Sequence, residues 1–486
     1  MARRWWTLVA VSLAAFMTNL DNNVTNVAIP TIQRSLHLSL AGLEWVVSSY
    51  VLVFAGLLLV GGRLADSYGR RRFFYIGTVV FTLASLAAGL AGSGGVLIGA
   101  RLVQGLGAAL VVPTTLAIIV ATFTNARERT TAIGIWTAIG AMALAFGPLI
   151  GGFISQHLHW GWIFFINVPV GIVAVTIAAL SMPESRDAAA AGRLDIPGMV
   201  ASSLALFGLT YALIEGHDKG WTSGVILGAF ALAAGAAAAF VLIESRTERP
   251  MVALSLFRSR VYSGGTVTMM LWAFGIFGIY FFTAIYLQDI LGFSPTKAGL
   301  AFVPMALSLA LAASLAGPIY LRLGAHRTVA AGMIAMAGGL YLISTLGAGA
   351  TFASMMPSFV IFGLGAGLMQ VPLTNSIMHG QAEANAGIAS ALLNASREVA
   401  GLLGITVIGA VLRVRQSAAL TQGAHPATAY LDGYHVGLLV TVVLVAAGAV
   451  ISFLALRRMQ PEPSVLVEAP VEVQDAGGAE LIGASH

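Results

Sequence analysis

Long apolar segments succeed one another along almost the whole of this 486-residue chain. Each is about 20 residues long, the length at which an α-helix crosses the hydrocarbon core of a bilayer. The backbone must satisfy its own hydrogen bonds there, because an unpaired group in hydrocarbon costs several kcal/mol. The residues are 58% hydrophobic and only 9% charged, too little charge to cover a soluble protein of this size. The sequence therefore predicts an all-α polytopic membrane protein.

The apolar segments divide the chain into fourteen predicted spans, arranged as six, two and six. The first six are Thr7–Ile29, Leu43–Gly62, Phe73–Ala91, Val96–Ala121, Thr131–Ile154 and Trp162–Met182. The next two are Pro197–Ile214 and Thr222–Ile243. The last six are Ser263–Leu287, Ala298–Leu321, Thr328–Leu346, Phe352–Ile377, Ala391–Leu412 and Tyr434–Leu456. We predict a six-helix bundle over residues 1–182, a linker with two extra helices over 183–262, a second six-helix bundle over 263–458 and a disordered cytoplasmic tail over 459–486.

Basic residues in the loops predict the orientation, because cytoplasmic loops carry an excess of Lys and Arg. With both termini in the cytoplasm, 18 of the 25 Lys and Arg residues lie inside, five lie outside and two lie within spans. Arg413 and Arg415 fall on the outer side and oppose the rule. Arg3 and Arg4 precede a long apolar run without a cleavage signal, so we expect a retained first helix. The richness in Ala, Gly and Arg indicates a bacterial source, and we expect a multi-pass protein of the bacterial inner membrane.

Composition and motifs exclude several other classes of protein. The chain has no cysteine, which removes disulfides and thiolate metal sites. It has no Gly-x-x-x-x-Gly-Lys-Ser/Thr motif, so ATP-driven pumping is not expected. His157 and His159 flank only a predicted outer loop, and no constellation of nucleophile, base or metal ligands emerges. We predict that the protein is not an enzyme, binds neither metal nor nucleic acid, and uses no cofactor.

An acidic residue lies inside the first predicted span. Asp21 shares one helical face with Thr18, Asn22 and Thr25, because these positions follow the spacing i, i+3, i+4 and i+7. A carboxylate at this depth is costly in lipid, so we expect it to face a wet cavity or a partner and to serve ion or substrate movement. At about 1.5 Å per residue it lies about 13 Å from the outer end of its span, and Arg101 lies about 8 Å from the outer start of the fourth.

A meeting of Asp21 and Arg101 would link a conformational change to a proton. A nearby guanidinium favours the charged carboxylate, and its departure favours the protonated form. We predict that this pair couples transport to protons and that Thr18, Asn22 and Thr25 line a cavity. A purely structural ion pair is the alternative.

The two predicted six-helix blocks resemble each other, which is typical of transporters built from repeats. Gly62–Arg72 ends the second span, and Gly317–Arg327 is its counterpart, with both glycines and the last arginine in the same places. Gly105–Ala109 and Gly363–Gly367 form a second pair of similar segments.

The loop after the second span predicts a cytoplasmic gate. It carries Gly62, Asp66, Gly69, Arg70 and Arg71. Asp66 is placed to cap a neighbouring helix N-terminus or to pair with an arginine. The alternative for the arginines is a simple anchor at the cytoplasmic surface.

The fifth span carries a group of small residues with a proline: Gly147, Pro148, Gly151 and Gly152. Pro148 cannot donate to the carbonyl four residues earlier, and the glycines permit close backbone approach. We predict a tight contact that seals the cavity against proton leak. Ordinary small-residue packing is the alternative.

The ninth span is rich in aromatic residues. We predict that Trp272, Phe277, Tyr280 and Phe281 line an apolar cavity that suits lipophilic cations. Packing against lipid or within the protein core is the alternative for each ring.

Five motifs together resemble those of a known family, the fourteen-helix drug:proton antiporters of the major facilitator superfamily. Asp21–Pro30 is similar to the first-helix signature, Gly62–Arg72 to the loop after the second helix, and Arg101–Gly105 to the fourth-helix motif. Gly147–Gly152 resembles the fifth-helix antiporter motif, and Glu215–Trp221 resembles an element of the two extra helices.

The resemblance implies the major facilitator fold with fourteen transmembrane helices, proton coupling around Asp21 and Arg101, and a cavity that Gln104 also lines. The chain departs from the family pattern at five positions: Asn23, Ile29, Ala143, Gly161 and Glu398. The usual residue at the last of these is glutamine, and the role of Glu398 is left open.

These observations predict a secondary transporter that exports lipophilic or cationic drugs from the cytoplasm by alternating access, driven by the proton gradient. Its partners would be an amphipathic small molecule, protons and the lipid bilayer, with an accessory protein left open. One alternative is a narrow exporter of an endogenous metabolite or self-made antibiotic. The other is a transporter-like sensor that moves no substrate.

Overall fold

In the computed structural model, residues 2–186, 195–247, 250, 252–378 and 383–457 are described. The predicted tail over 459–486 and part of the linker after the first bundle lie outside these residues. All regular structure in the described part is helical. The helices are α1 (Ala2–Leu36), α2 (Leu40–Tyr68), α3 (Arg70–Gly89), α4 (Gly94–Thr122), α5 (Ala126–His157), α6 (Trp162–Phe165), α7 (Asn167–Ser181), α8 (Ile196–Lys219), α9 (Gly224–Arg246), α10 (Arg260–Ile285), α11 (Pro295–Ser344), α12 (Phe352–Met378), α13 (Glu383–Thr421) and α14 (Pro426–Leu456). A 3₁₀ turn, Leu254–Arg258, precedes α10, and a π-helical turn, Tyr286–Ile290, follows it.

Twelve helical segments among the described residues are long and apolar enough to cross a membrane. The predicted sixth span is one of them, although it is broken into α6 and α7. Pro169 explains the break, since it has no N–H to donate to the preceding turn. The 35-residue α1, with charges at Arg3, Arg4, Asp21 and Arg34, is not among the twelve. The chain is thus a multi-pass helical membrane protein.

The helix ends are fixed by polar residues in the connecting turns. Ser39 accepts a hydrogen bond from the Gly42 N–H over 3.2 Å at the start of α2, and Ser93 accepts one from the Val96 N–H over 3.4 Å at the start of α4. Ser294 caps α11 in the same way. Such caps satisfy N–H groups that have no partner within the helix. Most helices extend beyond the predicted spans into the residues that flank each apolar stretch.

The helices form two bundles with a hairpin between them. The first bundle contains α1–α7, and the second contains α10–α14. Helices α8 and α9 pack on each other, and α8 also contacts α2 and α13. The two bundles meet where α5 packs on α11, α2 on α13 and α1 on α10.

The repeat seen in the sequence is also a repeat of packing. Gly69 separates α2 from α3 at φ 121°, and Gly324 breaks the long α11 at φ 77° and ψ 165°. A later helix of each bundle packs a glycine against the helix that precedes the break. Gly105 of α4 packs against Tyr50 of α2, and Gly363 of α12 packs against Met305 in the first half of α11. Residues with a side chain rarely adopt positive φ, so glycine at both breaks lets the chain turn at the same point of each bundle.

Candidate functional site

Asp21 and Arg101 form an ion pair in the interior of the first bundle. Oδ2 of Asp21, on α1, accepts a hydrogen bond from Nη1 of Arg101, on α4, and both side chains are 0% exposed. Two charges buried at this depth are stable only when their remaining polar atoms are also hydrogen-bonded. The structure therefore brings together two residues that were predicted to lie at similar depth.

Further groups hold the Arg101 guanidinium. Its Nε donates to the carbonyl of Val46 on α2 over 3.1 Å, and Nη1 also donates to Oε1 of Gln104 over 3.0 Å. The Tyr50 ring lies 4.4 Å from its carbon Cζ, and the Phe164 ring lies 5.8 Å away. Cation–π contacts of this kind are strongest where water is excluded. Among the described residues, Nη2 of Arg101 has no hydrogen-bond partner.

Two amides and a hydroxyl complete the surroundings of Asp21. Its Oδ1 accepts hydrogen bonds from Nδ2 of Asn167 over 2.8 Å and from Nε2 of Gln104 over 3.1 Å. Ser85, on α3, accepts a second hydrogen bond from Gln104 over 2.8 Å. The carboxylate thus connects α1, α4 and α7, and the Gln104 amide extends the network to Ser85 on α3.

Asn167, Ser85 and Tyr50 belong to this network and were missed in the sequence. Asn167 did leave a signal, since it is a polar residue within the apolar stretch that the structure resolves as α6 and α7. Ser85 and Tyr50 left none, because a single hydroxyl is common in membrane helices.

The predicted face of α1 is polar, but its hydroxyl groups are already hydrogen-bonded. Thr18 donates to the carbonyl of Ala15 over 3.0 Å, and Thr25 donates to the carbonyl of Asp21 over 2.7 Å. Both threonines are buried. Asn22 is half-buried and lies beside the Tyr50 hydroxyl. In this conformation the two threonines pack against protein, whereas Asn22 is partly exposed.

The predicted gate residues lie at the turn between α2 and α3. Asp66 pairs with Arg70, one turn further along, at 2.7 Å from its Nε. Arg71 donates from Nε to the Tyr75 hydroxyl over 3.0 Å. Gly62 packs at ordinary distance from Pro113 of α4. Of the two roles considered for Asp66, the structure shows the pairing with arginine.

The start of α3 is capped by a different carboxylate, Glu184. Its Oε1 accepts a hydrogen bond from the backbone N–H of Arg71 over 3.1 Å, and the carbonyl of Ser185 accepts one from the N–H of Arg70 over 2.9 Å. A Cβ on Gly69 would lie 2.9 Å from the Glu184 carboxyl carbon. The segment after α7 is thereby tied to the turn that carries the predicted gate.

The glycines and proline of α5 lie between α1 and α11. A side chain at Gly147 or Gly151 would overlap α1, at Asn23 and Val24 respectively. A side chain at Gly152 would overlap the backbone carbonyl of Pro295 on α11. From the opposite side, Gly299 of α11 packs on the carbonyl of Pro148. At this motif the backbones of the two bundles therefore come into direct contact.

The aromatic residues of α10 are packed inside the second bundle. Trp272 is buried and donates from Nε1 to the carbonyl of Ala366 over 3.1 Å. Tyr280 stacks on Phe302 with ring centroids 5.0 Å apart, and Phe281 is fully buried. The half-buried Phe277 packs over Gly401 of α13. Core packing, the alternative considered for these rings, describes their surroundings in this conformation.

Glu398 is held by its neighbour in the sequence. Its Oε1 accepts a hydrogen bond from Nη2 of Arg397 over 2.8 Å, and its side chain is almost completely buried. No group of three or more His, Cys, Asp or Glu side chains that could hold a metal ion occurs in the described part of the chain.

Comparison with known proteins identifies similar sequences over almost the whole chain. The family model described as Major Facilitator Superfamily matches residues 11–405. The chain is 34% identical to the puromycin resistance protein pur8 of Streptomyces alboniger, over 98% of this chain and 94% of that protein. It is also 34% identical to the tetracenomycin C resistance and export protein of Streptomyces glaucescens, over 98% of this chain and 96% of that protein.

Another relative is named for resistance to many drugs. The multidrug resistance protein Stp of Mycobacterium tuberculosis is 37% identical, over 85% of this chain and 77% of that protein. Among solved structures, the POT family transporter PepTSo matches with a TM-score of 0.69 at 15% identity, over 93% of this chain and 97% of that one. At this level of identity the structural match supports a shared fold and nothing more.

Proposed function

This chain belongs to the Major Facilitator Superfamily, and from this premise we propose that it exports lipophilic or cationic antibiotics and drugs from the cytoplasm. Export would be driven by the proton gradient and would proceed by alternating access, without a cofactor. The names of three relatives support this proposal, because these proteins match 85% or more of the chain and are named for resistance or export. The protein would be a transporter and not an enzyme.

The observation that carries the proposal is the buried Asp21–Arg101 pair with its amide and hydroxyl partners. Intramembrane charges of this kind are costly and mark ion or substrate pathways. A proton on Asp21 would remove the charge that Arg101 faces, and Arg101 would then keep only the Val46 carbonyl, Gln104 and the aromatic rings. We propose that proton binding shifts the balance between these two arrangements and thereby changes the packing of α1 against α4.

The substrate would act on the same balance. A cationic substrate and a proton each neutralise a carboxylate, so competition between them is the simplest coupling scheme. Asp21 is fully buried in this conformation. We therefore propose that the carboxylate becomes accessible only when α1 moves. In that conformation Asp21 exchanges the substrate for the proton, or the proton for the substrate.

We propose fourteen membrane spans in the order six, two and six. The twelve apolar segments reach this number if α1 is counted and if α11 is divided at Gly324. Domain limits near residues 182 and 262 would follow. An even number of spans agrees with both termini in the cytoplasm of a bacterial cell and with the excess of basic residues on that side. The ends of α1 and α13 and the start of α2 would then face the outside.

A second candidate function is export of a single antibiotic. Two relatives that cover 98% of the chain are each named for one compound, puromycin or tetracenomycin C. Resistance conferred by the protein against one compound among a chemically varied panel would favour this function. Resistance to several unrelated lipophilic cations would favour multidrug export.

The decisive experiment is efflux of a fluorescent lipophilic cation from energised cells that express the wild type, Asp21→Asn or Asp432→Asn. Asp432 is an exposed carboxylate and serves as the matched control. We expect efflux that stops when a protonophore collapses the gradient, that is lost in Asp21→Asn and that persists in Asp432→Asn. Gradient-dependent efflux by Asp21→Asn at the wild-type rate would contradict the coupling role of Asp21. The proposed function would be contradicted if a folded, membrane-inserted wild type exported none of the compounds in the panel.

A further inference from the structure

A second buried ion pair joins the two bundles. Glu44, near the start of α2, accepts a hydrogen bond from Nη1 of Arg413 on α13, across 369 positions of sequence. The side chains are 0% and 6% exposed. Unlike the Asp21–Arg101 pair, which lies within one bundle, this pair crosses the boundary between the two.

The hairpin between the bundles supplies a third partner. Nη2 of Arg413 donates to the backbone carbonyl of Leu213 on α8 over 3.1 Å. The same helix is tied to α2, because Nε1 of Trp45 donates to Oε1 of Glu215 over 2.8 Å. Glu215 in turn pairs with Lys219 at 3.3 Å.

Space for the pair is left by a glycine of α13. A Cβ at Gly409 would overlap the Glu44 carboxylate. Asp218, at the end of α8, is a further charged group near Glu44. Among the described residues, Oε2 of Glu44 and Nε of Arg413 have no hydrogen-bond partner. The two charges therefore depend mainly on each other.

Other contacts close the same end of the molecule. Nε2 of Gln288, in the π-helical turn, donates to the carbonyl of Val27 on α1 over 2.8 Å. The backbone N–H of Thr296 on α11 donates to Oε1 of Gln156 on α5 over 3.1 Å. These bonds, like the ion pair, join the bundles at the end that we propose faces the outside.

We propose that Glu44 and Arg413 form the latch of the outer gate, and that the carbonyl of Leu213 makes the two extra helices part of it. This inference rests on the proposed alternating-access exporter. Opening to the outside requires α2 and α13 to separate, which leaves two charges that must be hydrated before the separated state becomes stable. The latch also explains why Arg413 lies on the outer side against the excess of basic residues inside, since it has a buried acidic partner.

The test measures distances between spin labels in the purified protein in lipid nanodiscs. The chain has no cysteine, so labels attach only where cysteines are introduced. One pair replaces the exposed Val96, at the outer start of α4, and Ala418, at the outer end of α13. A second pair replaces Tyr68, at the inner end of α2, and Asn394 in the opposite half of α13, both exposed.

Two variants disturb the latch in different ways. Glu44→Gln leaves Arg413 without a counter-charge, whereas Gly409→Ala displaces the carboxylate without changing any charge. For both we expect at least a twofold larger population of long distances between labels at 96 and 418, and shorter distances between labels at 68 and 394. Asp432→Asn removes an exposed pair within the second bundle, with Arg415, and should leave both distances unchanged.

A double variant separates the latch from general damage. In Glu44→Gln with Arg413→Gln, neither charge is left alone, so the outer distances should return toward those of the wild type. Wild-type distances in both Glu44→Gln and Gly409→Ala would overturn the proposal. Outer distances that lengthen in the double variant as much as in Glu44→Gln would also overturn it. The distances are read without substrate or export, so this outcome is independent of the efflux experiment with Asp21→Asn.

Discussion

Asn167 donates a hydrogen bond to the Asp21 carboxylate over 2.8 Å, although the two residues are 146 positions apart. This amide holds the oxygen that Arg101 does not bind, so it orients the carboxylate toward the guanidinium. It is a positioning residue for the network, and it joins the start of α7 to the middle of α1.

We expect Asn167→Ala to destabilise the protein by about 1.5–3 kcal/mol, the usual contribution of a hydrogen bond to a charged group. Export should fall with it, because among the described residues Gln104 would be the one remaining donor to Oδ1 of Asp21. Thermal unfolding in detergent and efflux in cells measure the two effects. The matched control is Asn394→Ala, which removes an exposed amide from α13. Equal stability and equal export in Asn167→Ala and Asn394→Ala would argue against a positioning role.

Arg101→Lys tests whether charge alone is sufficient at the pair. Lysine keeps the positive charge but lacks the planar fork that reaches both Asp21 and the Val46 carbonyl. We expect a folded protein whose gradient-driven efflux falls by at least about tenfold, which corresponds to about 1.4 kcal/mol. Efflux at the wild-type rate in Arg101→Lys would show that the fork geometry is unimportant.

Gly152→Ala tests the approach of α5 to α11. Its Cβ would overlap the backbone carbonyl of Pro295, which cannot rotate away. Overpacking of this kind costs about 1–3 kcal/mol, and we expect both stability and export to fall. The matched control is Gly140→Ala on the same helix, where a Cβ meets no atom within 4 Å. There we expect a change of at most about 1 kcal/mol, in the stabilising direction, from the better helix propensity of alanine. Similar thermal unfolding of the two variants would contradict this account of the motif.

The turn glycines of the two bundles allow a comparison of backbone strain with crowding. Gly69→Ala places a Cβ at φ 121° and 2.9 Å from Glu184, whereas Gly324→Ala places one at φ 77° with its nearest neighbour, His326, at 3.5 Å. Both should lose about 1–3 kcal/mol through strain. Gly69→Ala should be the less stable of the two because it also displaces the cap of α3. A ranking in the opposite order by thermal unfolding would show that the Glu184 contact matters little.

Local sequence pattern was sufficient for the helical fold and for the central pair. An isolated Asp21 in an apolar stretch is visible by itself, and the depth of Arg101 follows from counting residues along a helix. The break of α11 at Gly324 follows from its correspondence to Gly69, because both are glycines at the same point of a repeat.

Contacts between distant segments could not be predicted in the same way. Glu44 lies at the start of its helix and looks like an ordinary interfacial acid until α13 brings Arg413 to it. Glu184 likewise shows its role only when the segment after α7 returns to α3. Helical periodicity reports which face of a helix is polar, but not which other helix will cover that face.

Among the residues that the structure describes, the side chains that hydrogen-bond the Asp21 carboxylate all belong to the first bundle: Arg101, Gln104 and Asn167. The groups that we propose to sense the proton thus lie in the first bundle and are separate from the second. Such a division lets evolution vary one half of the molecule while the other is kept. Substitutions within α10–α14 would leave every one of these hydrogen bonds to Asp21 in place.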